Sequence, residues 1–166
     1  MATMRRSFTD RMFAAAKLDI NLYEEVEADT DATMQAAGVV MLGAIASAIG
    51  GIDSGATGIF GGLLGAILGW LIWAGITYLI GDKVLGGTAT WGELLRTLGF
   101  AQAPRVLLIL GIVPLLGLIV AFVVGIWVFV ASIIAIRQAL DFSTGRAIAT
   151  ALLGFIPSAM LYAMFT

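Results

Sequence analysis

An all-α integral membrane protein, a five-helix transmembrane bundle behind a short amphipathic cytoplasmic N-terminal segment, is the fold that the sequence predicts. Three observations predict it. Of the 166 residues, 60% are apolar and 12% charged, with a mean hydropathy of +1.03, whereas soluble domains hold roughly 45–50% and about 25%. Apolar runs lie near 32–52, 58–81, 101–136 and 147–165, and about 20 residues of α-helix cross an apolar core about 30 Å thick. Finally, if the run 101–136 crosses twice, all nine basic residues fall on one side of the membrane, as the excess of Lys and Arg in cytoplasmic loops favours.

The chain contains no cysteine and no histidine. That excludes disulfides, thiolate and imidazole metal sites and every His-dependent acid–base mechanism, so no cofactor, metal or catalytic residue is expected. A net charge of −2 gives no basic patch of the kind that binds nucleic acid. "MRRSF" at 4–8 resembles a twin-arginine export signal, but "TDRMFAAAKLDI" after it is too polar for the apolar region of such a signal. Residues 1–31 are therefore expected to stay in the cytoplasm.

The first element is a short amphipathic helix over 7–18, with Phe8, Met12, Ala15 and Ala16 on one face and Asp10, Arg11 and Lys17 elsewhere. It suits either the membrane surface or the cytoplasmic ends of the bundle. A second short helix follows in "NLYEEVEAD", where Asn21 and Glu24 resemble a capping box and Leu22 and Val26 lie one turn apart. Glu24, Glu25, Glu27, Asp29 and Asp31 then crowd before the first span, and read as a solvated helix start.

Span one, 32–52, carries a small face of Gly43, Ser47 and Gly51. Span two, 58–81, carries Gly58 and Gly62, and Gly61, Gly65 and Gly69 at steps of four. Small residues one turn apart let helix backbones touch, so these spans are expected to pack as a hairpin through "GGIDSGATG". Ala121 and Gly125 suggest a similar contact for span four. Between spans two and three, Trp91 to Leu98 is expected to form a helix at the membrane surface with Glu93 and Arg96 able to pair.

Arg105 to Arg137 holds no charge between its ends, too long a run for one span. "GIVPLLG" places Pro114 between Gly111 and Gly117, where a hairpin would need its break. The expected arms are 101–116 and 118–136, both short, and span five is 147–165. The N-terminus is then cytoplasmic and the C-terminus outside. No ionisable residue lies mid-membrane in this topology: Asp53, Asp82 and Asp141 all fall at helix ends or loops, so a two-aspartate intramembrane protease is set aside. Gln35, Gln102, Gln138, Thr77 and Ser132 are accounted for by hydrogen bonds between helices.

Three stretches carry a family likeness: "LYEEVEADTDATMQAA", "ELLRTLGFAQAPRVLLIL" and "IRQALDFSTGRAIATALL". Together they resemble the small prokaryotic members of the YIP (Ypt-interacting protein) domain family, from about Leu18 to the C-terminus. The resemblance implies five spans, a cytoplasmic N-terminus and no catalytic residue. Eukaryotic members act in vesicle traffic and contact Rab-type GTPases through a longer N-terminal region than the roughly 31 residues here. Arg96, Pro104, Arg105, Asp141, Gly145 and Arg146 match the pattern best. With Lys83 and Glu93 they form a candidate cytoplasmic interaction face.

The functional expectation is a non-enzymatic bundle that organises membrane or partner proteins through helix packing and cytoplasmic loops. Two alternatives stand beside it: an accessory subunit of a larger, bioenergetic, membrane complex, and a small channel or transporter for a neutral solute. The expected partners are the lipid bilayer and a membrane protein, not nucleic acid. The expected location is a bacterial or archaeal cytoplasmic membrane.

Overall fold

The computed structural model describes residues 6–51, 56–113 and 115–165, except for the side chains at 56, 57, 59 and from 158 onward. It is helical throughout, with no strand among the described residues. Two short helices, α1 (Phe8–Ala16) and α2 (Ile20–Ala28), precede α3 (Ala32–Gly50) and α4 (Ala56–Tyr78). After a π-helical turn over Leu79–Val84 come α5 (Trp91–Phe100), a 3-10 segment over Ala103–Ile112, α6 (Leu116–Ala139) and α7 (Thr144–Phe165).

Ser7 caps α1, its hydroxyl accepting from the Asp10 amide at 3.2 Å. The helix ends on Leu18, in the left-handed region at φ 61°, where the Leu18 and Asp19 amides donate to the carbonyls of Ala15 and Ala14. These are the two bonds of a Schellman ending. Asp19 returns to extended backbone and caps α2 by accepting from the Asn21 amide. The cap expected at Asn21 is therefore not used, because Asn21 is already helical when the chain leaves the left-handed turn.

Among the described residues, four stretches are long and apolar enough to cross a membrane: Ala32–Gly50, Phe60–Val84, Trp91–Ile112 and Leu116–Ala139. The fifth expected span lies within α7, which has Pro157 inside it. The uncharged run does break, with Leu115 left-handed at φ 72°, although Pro114 itself lies outside the described residues. The 3-10 segment and α6 then run antiparallel: a Cβ on Gly117 would lie 3.4 Å from the Gly111 carbonyl, and Trp127 shares a cleft with Pro104 and Leu107. A 3-10 helix rises about 2.0 Å per residue against about 1.5 Å in an α-helix. The short third arm is thus stretched by roughly a third, which the sequence pattern did not suggest.

The buried core gathers at one end of the bundle, around α5. It holds Leu22, Tyr23 and Val26 of α2, Ala36 and Val39 of α3, Trp70 and Ala74 of α4, and Leu94, Leu98 and Phe100 of α5. Ala131, Ala135 and Ile136 of α6 and Ala147 and Ala151 of α7 complete it. Toward the other end Phe60, Leu64, Leu118, Phe122 and Phe155 are exposed, the pattern of helices that face lipid rather than one another.

Candidate functional site

The end that holds the core also carries the chain's densest polar network. Arg11 of α1 is 1% exposed, and its guanidinium is shared among three partners on two elements. Nε donates to Glu25 at 2.9 Å, Nη2 to Asp29 at 2.8 Å and Nη1 to the Gln35 side-chain carbonyl at 2.9 Å. Burial alone would disfavour the charge, but the hydrogen bonds to Asp29 and Glu25 and their negative charges outweigh it and raise the Arg11 pKa. Arg6 joins this cluster at its edge, pairing with Asp19 at 3.0 Å and sharing Glu25 at 3.5 Å. The acids expected to be a solvated helix start are, at Glu25 and Asp29, the counter-ions of a buried arginine.

A second arginine performs the complementary task from the bundle side. Arg96 of α5 is 6% exposed, and its Nε donates to the backbone carbonyls of Val26 at 2.9 Å and Glu27 at 3.1 Å, with Nη2 also on Glu27. It thereby holds the last carbonyls of α2. The expected Glu93–Arg96 pair does not form, since Glu93 closes a capping box with Thr90. Trp127 donates its indole N–H to the Ala16 carbonyl at 2.8 Å, Gln138 donates to Glu24, and Tyr23 donates to the Ala15 carbonyl at 3.3 Å. Residues 6–31 are therefore clamped against the bundle by α3, α5 and α6. α5 is correspondingly not a surface helix, because every residue from Leu94 to Phe100 is buried.

Glu27 has a strongly perturbed carboxyl. Burial pushes its pKa up to about 7, helped by the charges of Glu93, Glu24 and Asp141 and opposed by Arg96. Acids of α2, α5 and the α6–α7 turn thus act on one carboxyl. Asp141 is left-handed at φ 52° and accepts from the Thr88 hydroxyl at 3.0 Å, tying the loop before α5 to the α6–α7 turn. Beside it the Arg146 guanidinium lies 4.0 Å from the centre of the Phe142 ring.

The expected interaction face divides accordingly. Lys83, Asp141, Gly145 and Arg146 are exposed, Glu93 and Arg105 are half-buried, and Arg96 and Pro104 are buried. Lys83 pairs with Asp82 at 2.7 Å, and Arg105 donates to Gln102 at 3.3 Å.

The small residues divide as well. A Cβ on Gly43 would lie 2.9 Å from Arg105 Cβ, and one on Gly50 would lie 2.0 Å from the Leu108 carbonyl oxygen, so the small face of α3 meets the 3-10 segment. Gly111 lies in the same crossing, against Gly50. Ser47 is half-buried and Gly51 exposed. Gly61, Gly62, Gly65, Gly69 and Gly125 would meet nothing within 4 Å, and Gly58 and Ala121 are exposed. α3 and α4 are neighbours, but not through the α4 glycines, because the 3-10 segment occupies the groove of α3 that those glycines would have entered. Gly99, which the sequence pattern did not single out, meets Ala36 with a Cβ separation of 2.7 Å. Gly81 and Gly87 make room for Leu140.

Of the polar groups assigned to hydrogen bonds between helices, Gln35 and Gln138 make such bonds. Ser132 donates to Val128 of its own helix, and the buried Thr77 hydroxyl has no partner among the described residues. Nothing in the sequence pattern marked Arg11 for burial: its partners lie 14, 18 and 24 residues away.

Helices of this length and apolarity, a lipid-facing end and a clamped polar end define an all-helical integral membrane protein. The family model described as Yip1 domain matches residues 26–166, and the chain belongs to that family. Comparisons with curated proteins and with solved structures found no match.

Proposed function

We propose that this chain is a non-enzymatic member of the Yip1 family that organises membrane or partner proteins through its clamped polar face. It crosses the membrane five times, with the N-terminus and the Arg11–Arg96 face in the cytoplasm of a bacterium or archaeon and the C-terminus outside. The observation that supports this most is the double clamp. Two buried arginines fix residues 6–31 to α3 and α5, and so hold Glu24, Glu27, Glu93, Asp141 and Arg146 in a set relation at one end of the bundle. A rigid charged face of that kind serves recognition; none of its groups is paired for nucleophilic or acid–base work. The test is photocrosslinking from Gly145, which is exposed and whose Cβ would meet nothing within 4 Å among the described residues. A discrete protein adduct in native membranes, weakened by Arg146→Glu, is expected; adducts with lipid alone would overturn the partner-organising half of the reading.

A second reading, an accessory subunit of a larger membrane complex, is favoured by one observation. A Cβ on Gly61, Gly62, Gly65 or Gly69 would meet nothing within 4 Å among the described residues, although such spacing serves close helix contacts in bilayers. Native mass spectrometry of the gently extracted protein separates the two readings. A fixed-stoichiometry assembly supports the subunit, and a lipid-bearing monomer or dimer supports the self-contained organiser.

A further inference from the structure

Between α1 and the hairpin of the 3-10 segment and α6 lies an open cleft of about 510 Å³, within the roughly 300–1,000 Å³ range of small-molecule sites. Met12 and Phe13 of α1, Pro104 and Leu107 of the 3-10 segment and Trp127 of α6 form its walls, and Lys17 stands at its rim. Because the Trp127 N–H is spent on the Ala16 carbonyl, the indole offers the cleft only its apolar surface. Phe13 is 68% exposed beside it, on the flank of the bundle rather than in its core.

The charge at the rim is unbalanced. Among the described cations of the N-terminal segment, Arg6 is paired with Asp19 and Glu25, and Arg11 with Glu25 and Asp29. Lys17 has no carboxylate partner among the described residues. The carbonyls at the end of α1, which would repel an anion, are already taken: Ala14 by Asp19, Ala15 by Leu18 and Ala16 by Trp127.

We propose that this cleft binds one anionic phospholipid, an acyl chain lying against Met12, Leu107 and Trp127 and the headgroup phosphate meeting Lys17. An apolar trough open toward the flank of a membrane protein, with an ammonium at one end that has no carboxylate partner among the described residues, matches the two parts of that molecule, and a net negative headgroup leaves the ammonium the larger gain. The site needs only a bilayer, so it stands or falls separately from the organiser reading.

The experiment is native mass spectrometry of the full chain purified with equal amounts of phosphatidylglycerol and phosphatidylcholine. One lipid per chain is expected to survive the activation that strips the rest. It should favour phosphatidylglycerol by about fivefold, the size of one lysine's attraction to an anionic surface. Lys17→Gln, at an exposed position, is expected to bring the two lipids to parity, and Leu107→Trp to lower the retention of both. Equal retention by the unaltered chain, or a preference that survives Lys17→Gln, would overturn the proposal. Should Leu107→Trp not fold, Lys17→Gln decides alone.

Discussion

At the scale of single residues, Arg11 is the position where one atom group holds the most structure. Its removal takes away the cation that Asp29 and Glu25 share and leaves Glu25 to Arg6 alone at 3.5 Å, and breaking a buried ion pair from one side costs about 3–5 kcal/mol. Glu25 is only partly buried, so Arg11→Met is expected at the lower end, about 3 kcal/mol. The sign of success is local: limited proteolysis should clip residues 6–31 while the spans stay protected, and a variant as resistant as the unaltered chain would show that the clamp is dispensable. Glu27 gives a pH dependence with a definite sign. Its folded pKa of about 7 lies above its ordinary 4.5, so the folded chain binds this proton more tightly. The stabilisation is full below about pH 4.5 and is lost as pH rises toward 7. Melting of the unaltered chain should therefore fall relative to Glu27→Gln between pH 5 and pH 7.5, and parallel curves would refute the assignment. Neither residue was legible beforehand. A helical wheel puts Arg11 off the apolar face of α1, and what buries it is a carboxylate pair on another helix, information that no local window contains.

At the scale of elements, glycine spacing proved a poor guide to which helices touch, though a good one to where small residues are. Gly99 and Gly65 look equivalent in the sequence. In the fold Gly99 has Ala36 Cα 3.2 Å and Cβ 2.7 Å from where its own Cβ would be, and Gly65 has nothing within 4 Å. Gly99→Ala must part α5 from α3, and overpacking of this kind costs about 1–3 kcal/mol. Gly65→Ala is expected to be neutral or to gain up to about 1 kcal/mol from helix propensity. Denaturation of the two purified variants side by side checks both, and a Gly65→Ala loss as large as that of Gly99→Ala would mean that the α4 glycines have a partner. Period located α1, α2 and α5, and the glycines and proline of "GIVPLLG" pointed to the break near Leu115, because those depend on neighbours. The 3-10 geometry of Ala103–Ile112 was not legible, because it follows from how far the arm must reach while packed between α3 and α6.

At the scale of the whole molecule, the proposed count of crossings rests on a hairpin and on charge. The 3-10 segment and α6 fold back on each other, and in the proposed topology Arg137 and Arg146 share the side of Lys83, as the excess of basic residues in cytoplasmic loops favours. That fold-back allows two arrangements of its tip: through the bilayer to the far side, or buried within it. Length favours the first. α6, 24 residues at about 1.5 Å each, spans about 36 Å, more than an apolar core of about 30 Å. The absence of cysteine makes the distinction clean. Leu115→Cys, at a residue 94% exposed, should react in intact cells with a membrane-impermeant thiol reagent. Ser143→Cys, exposed at the α6–α7 turn, should react only after permeabilisation. Protection of Leu115→Cys until detergent is added would make the hairpin re-entrant and reduce the crossings to three, with neither terminus changing side: with α7 still crossing, both termini keep opposite sides. The pair of labels, and not the location of the C-terminus, is therefore what decides between five crossings and three.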